Sequence, residues 1–376
     1  MRARLACIAG LSAVALLAAA CGSSGGGGGG SSPSSGSGSS PSSAPAAAFK
    51  ACLVSDTGTV NDKSFNQSAY EGATEAASAS SGAITAQFLP SASPTDYAPN
   101  ITSFINQKCG IIVTVGFLMG DATQKAAQAN PDQKFAIVDF SYAKPFANVD
   151  ALLFNTVEDG FQAGYLAAAM SKTGKVATFG GQKLPTVTIY MDGFYDGVQY
   201  YNKQKNKNVQ VLGWNEKTQN GSFTGNFTDL TAGQRLTTTF ISEGADIIFP
   251  VAGNVGLGAA KAVQTADAAA GSQKVNMMWV DTDGCVSVPQ YCKYFITSVN
   301  KGITVAVKGA VEAAQKGDFK GGNYIGTLAN NGVGLAPFHD FESKIPASVK
   351  SELDQIKADI ISGKITIESK VQPKAS

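Results

Sequence analysis

The stretch Val54-Ser55-Asp56-Thr57-Gly58-Thr59-Val60-Asn61-Asp62-Lys63-Ser64-Phe65-Asn66 decides how the chain is read. It leaves an apolar run, residues 49–54, with the length and composition of a buried parallel strand. It enters a helical pattern that starts near Ser64 and continues through Tyr70, Ala73 and Ala77. Strand, polar loop and helix in that order form the basic α/β unit, and in open α/β sheets ligands bind where strands end and helices begin. The loop carries acids, amides, a lysine and an aromatic ring. An ordinary βα loop with a good helix cap would look similar, so the rest of the chain has to decide.

Working outward, apolar runs alternate with helical patterns. Strands are expected at 49–54, 84–88, 111–115, 135–140 and 149–155, with helices at 64–80, 97–107 and 121–129. A helix at 157–172 and a strand at 176–180 follow. A second series has helices at 185–202, 229–243, 256–269 and 303–316, and strands at 209–214, 247–249, 277–280 and 295–299. Alternation of this kind predicts an α/β protein with a parallel sheet in each of two lobes. Some 330 residues beyond residue 48 are too many for one typical core. The reading places one lobe at 49–155 and 281–316 and the other at 156–280 and 317–376, with a hinge near Asn155 and a return after Val280.

The first residues read differently. Met1-Arg2-Ala3-Arg4 is basic, residues 5–20 are apolar and small, and Cys21 follows Leu17-Ala18-Ala19-Ala20. The run is shorter than the roughly 20 residues a membrane span needs and fits a signal peptide. Residues 1–21 are therefore expected to be a lipoprotein signal peptide with Cys21 as the lipidated residue; a plain cleaved signal is the alternative. Ala18 stands where a lipobox usually has leucine. Residues 22–48 are Gly, Ser, Pro and Ala and form a tether unable to fold, with a reach of about 30 Å. The protein is thus expected to be exported and lipid-anchored to the outer face of the cell membrane.

Charge and cysteines narrow the class. With 29 basic and 28 acidic residues the chain is near neutral and has no basic cluster, so no nucleic-acid partner is expected. Beyond Cys7 and Cys21, four cysteines remain: Cys52, Cys109, Cys285 and Cys292. They allow three pairings. Cys285 and Cys292 flank a short loop, and neighbouring parallel strands could bring Cys52 to Cys109; free buried thiols are the other possibility. No Cys-x-x-Cys pair offers a zinc site.

Catalysis is poorly supplied. His339 is the one histidine, expected to be a surface or locally bonded residue. Beyond the tether there is no nucleophile elbow and no P-loop, and Gly256-Leu257-Gly258-Ala259-Ala260 is only part of a dinucleotide fingerprint. No catalytic residue, metal or cofactor is expected. What recurs is a polar or small residue just past an apolar strand: Asp56, Gly116-Phe117, Asp139, Ala252-Gly253-Asn254, Asp281 and Asn300-Lys301. Six such strand ends supply what a polar small-molecule cleft needs.

Several segments resemble a known family. They are Asp56-Thr57-Gly58 with 61–67; 135–139; Glu158-Asp159-Gly160-Phe161-Gln162-Ala163-Gly164-Tyr165-Leu166-Ala167; Gly180-Gly181 with Pro185 and Gly193-Phe194; 248–253; Val280-Asp281; and Ser298-Val299-Asn300-Lys301. Together they resemble the basic membrane protein family of lipoproteins, the purine nucleoside receptor group of ABC-transporter substrate-binding proteins. The resemblance implies a type I periplasmic-binding-protein fold, two Rossmann-like lobes joined by three hinge crossovers. It further implies a monomer without cofactor or enzymatic activity, a purine nucleoside as ligand and an ABC permease as partner. By motif, Phe65 would stack on one face of the base and Phe227 on the other, with Phe223 and Trp214 as rivals because the 213–223 segment is long. Asp62 or Asn61, and Asp139, would bond to the base edge. Asp56, Asp281 and Lys301 would serve the ribose hydroxyls or the loops that hold them, and Gly253 would let backbone approach the sugar. Gly302 and the Cys285–Cys292 loop depart from the family pattern. A ligand sensor of the same fold and, further off, a nucleoside-cleaving enzyme are the alternatives.

Overall fold

The computed structural model describes residues 48–374. The signal peptide, Cys21 and the tether to residue 47 lie outside the described residues. The first lobe begins with strand β1 (Phe49–Thr57), helix α1 (Phe65–Ala79), β2 (Ile84–Ser91), α2 (Tyr97–Asn106), β3 (Ile111–Val115), α3 (Gly120–Ala129), β4 (Phe135–Val138) and β5 (Val149–Phe154). The chain then enters the second lobe with α4 (Val157–Met170), β6 (Lys175–Gly180), α5 (Pro185–Lys205), β7 (Gln210–Leu212) and a small hairpin, β8 (Trp214–Asn215) and β9 (Asn220–Gly221). Next come α6 (Leu230–Ser242), β10 (Ile247–Val251), α7 (Gly256–Ala270), β11 (Asn276–Asp281), α8 (Gly284–Ser287) and β12 (Phe295–Lys301). Last are α9 (Ile303–Lys316), β13 (Gly322–Gly326), β14 (Val333–Leu335) and α10 (Ala347–Ile361).

Two six-stranded sheets result, in the orders β13-β5-β4-β3-β1-β2 and β14-β12-β11-β10-β6-β7. The first is parallel throughout, and in the second only β14 runs antiparallel. Helices cover both faces of each sheet, which is why β3, β4 and β10 are buried along their whole length rather than at alternate residues. The orders superpose strand for strand, so β4 corresponds to β11 and β5 to β12.

The lobe boundaries differ from the sequence reading. Strand β12, expected in the first lobe, pairs with β11 in the second sheet, and the chain returns after Lys301 rather than after Val280. Helix α9 does pack in the first lobe, where Ile303, Val307 and Val311 join the core beside Ala69 and Ala73 of α1. Strand β13, expected in the second lobe, closes the edge of the first sheet beside β5, whereas β14 and α10 belong to the second. A hydrophobic run specifies a buried strand but not which of two sheets receives it; the pairing partner decides. The three crossings are tied together, with Asn155 donating to the Gly326 carbonyl at 2.8 Å and Gly302 to the Gly332 carbonyl at 2.8 Å.

Cys52 is bonded to Cys109 and Cys285 to Cys292. The first bond ties β1 to the turn entering β3, where the parallel pairing of the two strands begins.

In the second lobe α4 and α5 cross with their backbones almost touching, at Gly160 and Gly164 on one helix and Gly193 and Gly197 on the other. A methyl on Gly164 would sit 2.0 Å from the Phe194 carbonyl oxygen, and one on Gly197 2.0 Å from that of Phe161. Alanine in a helix interior is intrinsically better than glycine by about 1 kcal/mol, so the crossing alone sets the sign here. Gly164→Ala is expected to lower stability by about 1–3 kcal/mol, the usual cost of overpacking, read as a reduced urea midpoint. A raised midpoint would show that the helices can separate freely.

Candidate functional site

The strand ends of both sheets face each other across a cleft of about 270 Å³. Asp56, Asp62, Phe65, Asp139, Phe227, Gly253, Asp281 and Lys301 all line it. Asn61 does not, and is exposed. The strand-end residues Gly116, Phe117 and Asn254 line it too, and the structure adds Tyr190 and Thr186 from α5 and Thr57 and Thr59 from the end of β1 and the loop after it. Tyr190 lies inside a long helix, where nothing in the sequence marks it as anything but core.

Lys301 sits at the centre. It is 6 % exposed, its Nζ lies 2.7 Å from Asp139 Oδ2 and 3.7 Å from Asp281 Oδ1, and the rings of Phe65, Tyr190 and Phe154 surround it at 5.1, 5.3 and 5.7 Å. Burial alone would lower the lysine pKa, but the two carboxylates outweigh it and hold it above its ordinary 10.5. The second carboxylate is itself held: the Tyr190 hydroxyl donates to Asp281 Oδ1 at 3.0 Å and Ser64 Oγ to Oδ2 at 2.9 Å. Asp139 and Asp281 occupy equivalent positions at the ends of β4 and β11, and both have left-handed backbones, φ 66° and 67°. Such conformations carry a local cost and concentrate at functional sites.

Three contacts fasten the first loop to the second lobe: Ser64 Oγ reaches both Asp281 Oδ2 and the Val280 carbonyl, the latter at 3.0 Å, and Trp279 Nε1 donates to the Lys63 carbonyl at 3.2 Å. Lys63 is also left-handed, φ 61°.

Asp62 has a different job from the one the motif implies. Its carboxylate accepts from the Ser64, Asn66 and Gln67 backbone amides at 3.1, 2.8 and 3.1 Å and from Asn66 Nδ2 at 3.1 Å. Four bonds fill a carboxylate's acceptor capacity, and they satisfy the orphan amides that begin α1. Asp62 therefore positions Phe65 at the start of α1. The acceptor positions of Asp62 are thus taken within its own loop, and Asn61 is exposed and outside the cleft.

The three rival aromatics of the second lobe separate cleanly. Trp214 is buried and donates Nε1 to Asp192 at 3.0 Å. Phe223 packs against Trp214, ring centres 6.0 Å apart. Only Phe227 lines the cleft, seated on Gly181, where a methyl would lie 2.4 Å from its ring. The Asn226 side chain fixes the turn after it, accepting from the Thr228 and Asp229 amides at 2.9 and 2.7 Å.

Asp56, 8 % exposed, faces Gly116, where a methyl would meet its Oδ2 at 2.1 Å. Burial pushes its pKa well above 3.8, and the charges of Asp62 and Asp139 add to the push. A raised carboxyl pKa means that ionising Asp56 costs the folded state stability at neutral pH, a cost that disappears as pH falls through that raised value towards 3.8. Asp56→Asn is thus expected to melt higher than the parent at pH 7 without ligand, with the gap narrowing at lower pH. Equal or lower melting of the variant at pH 7 would contradict the assignment.

Two parallel-sheet lobes with a cleft at the strand ends define the type I periplasmic-binding fold. An ABC-transporter solute-binding protein from Aeropyrum pernix superposes with a TM-score of 0.76 at 25% identity, covering 85% of this chain and 92% of that one. The family model for PnrA-like ABC-transporter substrate-binding proteins, Bmp, matches residues 49–371, and the chain belongs to that family. Among its relatives, the ABC transporter nucleoside-binding protein BmpA of Lactococcus lactis is 30% identical over 85% of this chain and 89% of its own length. An uncharacterized lipoprotein of Pyrococcus horikoshii is 29% identical over 76% of this chain and 68% of its own. The protein is accordingly an extracytoplasmic substrate-binding component of an ABC transporter, a non-enzymatic class that takes up a small molecule for a membrane permease. Among the described residues no helix is long and apolar enough to cross a membrane.

Proposed function

We propose that the protein captures a purine nucleoside in this cleft and delivers it to its permease while tethered to the membrane by a lipid on Cys21. The observation that carries the reading is that Phe65 and Phe227, one ring from each lobe, line a cleft that also holds the carboxylates of Asp56, Asp62, Asp139 and Asp281. Aromatic rings suit the two faces of a heterocycle; stacking on one is worth about 1–3 kcal/mol per base. Carboxylates accept from neighbouring sugar hydroxyls through charge-assisted bonds. With Asp62 engaged in its own loop and Asn61 outside, Asp139 is left to serve the base edge, and Asp56, Asp281 and Lys301 the ribose hydroxyls or the loops that hold them. Gly253 is left-handed at φ 52°, and nothing lies within 4 Å of where a methyl on it would stand, which leaves its backbone open to the ligand. The name of the Lactococcus relative supports the same class of ligand. The protein acts as a monomer and closes by hinge motion.

Calorimetric titration with adenosine, guanosine, inosine, uridine and ribose tests the ligand. Purine nucleosides should bind and ribose should not, and Phe65→Ala should weaken binding at least tenfold, about 1.4 kcal/mol. A dissociation constant unchanged by Phe65→Ala would remove that ring from the site. For the anchor, cells fed a labelled fatty acid should label the parent protein and not the Cys21→Ser variant; equal labelling of both would refute lipidation at Cys21.

A further inference from the structure

Two features set aside by the cleft meet in the second lobe: the single histidine and the Cys285–Cys292 loop. Asp283, at the start of α8, accepts from the Cys285 amide at 2.9 Å through Oδ1 and contacts His339 Nε2 at 2.7 Å through Oδ2. His339 reaches it from a left-handed backbone, φ 44°. A carboxylate oxygen of Asp283, the Cys285 sulfur and a ring nitrogen of His339 all lie within 4.8 Å of one another. The Cys292 sulfur is bonded to that of Cys285, so it adds a fourth ligand atom at the same spot. Tetrahedral zinc, with bonds of about 2.0 Å to N or O and 2.3 Å to S, holds its ligand atoms about 3.3–3.8 Å apart.

We propose that Asp283, Cys285, Cys292 and His339 form a redox-gated site for a zinc-class divalent ion. While the sulfurs are joined, neither is a thiolate and the site is shut. A dithiol reductant supplies two electrons and two protons; the Cys285–Cys292 bond breaks, two thiols form, and the reductant becomes its own disulfide. The ion then binds both sulfurs as thiolates and displaces their two protons. Sulfur, imidazole and carboxylate together suit zinc better than calcium or magnesium. The second cystine does not compete for the reductant on equal terms: Cys52 and Cys109 are buried in the first lobe, whereas Cys285 and Cys292 are half-buried and His339 is exposed.

The test is cobalt titration of the full protein, oxidised and after dithiothreitol treatment and anaerobic desalting. The reduced protein should bind one cobalt ion with a thiolate-to-metal charge-transfer band that zinc abolishes, and the oxidised protein should show none. Cys285→Ser/Cys292→Ser should lose the band while melting as the reduced, metal-free parent does, and His339→Ala should weaken the ion at least tenfold. Absence of the band after reduction, or its persistence in the double serine variant, would overturn the proposal.

Discussion

One ammonium group holds the two lobes to a common centre. Lys301 ends β12 in the second sheet, pairs with Asp139 at the end of β4 in the first, and reaches Asp281 at the end of β11. Taking such charges out of water costs several kcal/mol per ion, and only good geometry with further hydrogen bonds offsets it. Here Tyr190 and Ser64 supply those bonds to Asp281. The internal correspondence of the sheets explains why the arrangement works. Asp139 and Asp281 are the same position in two copies of one plan, so a single cation between them faces both lobes at once. Phe154, last residue of the strand equivalent to β12, stands 5.7 Å from the same cation.

The first loop depends on that centre. Asp62 caps α1 and so places Phe65, and Ser64 and Lys63 meet the second lobe through Asp281 and Trp279. A movement that separates the lobes must break these contacts and the Asp139–Lys301 pair together. Asn155–Gly326 and Gly302–Gly332 link the crossings to one another. Closure thus has a defined set of polar contacts to form, and a ligand bridging the same groups would shift its balance.

Much of this was legible in the sequence, though unevenly. Apolar runs marked the inner strands, because parallel strands covered on both faces leave no alternation to misread, but they did not mark β9 or the edge strands β13 and β14. Polar residues just past those runs marked Asp56, Asp139, Asp281 and Lys301, because strand ends are where α/β sheets face ligands. Sheet membership of β12 and β13 was not legible, since it depends on pairing between distant segments. Neither was Tyr190, whose hydroxyl is set by the way α5 crosses the cleft. Asp62 misled for a different reason: a carboxylate in a loop can serve a ligand or the helix behind it, and only hydrogen-bond geometry tells which. The long 213–223 segment offered two rings that pack against each other, leaving Phe227 for the cleft.

The dependence on Lys301 can be measured with a double-mutant cycle on unfolding free energy, combining Lys301→Met and Asp139→Asn. A buried pair in direct contact should give a coupling well above the roughly 0.5 kcal/mol seen for independent sites, because Lys301→Met leaves Asp139 buried without its cation and Asp139→Asn leaves the lysine only Asp281, at 3.7 Å. Additivity within that margin would mean that the two lobes are not joined through this lysine.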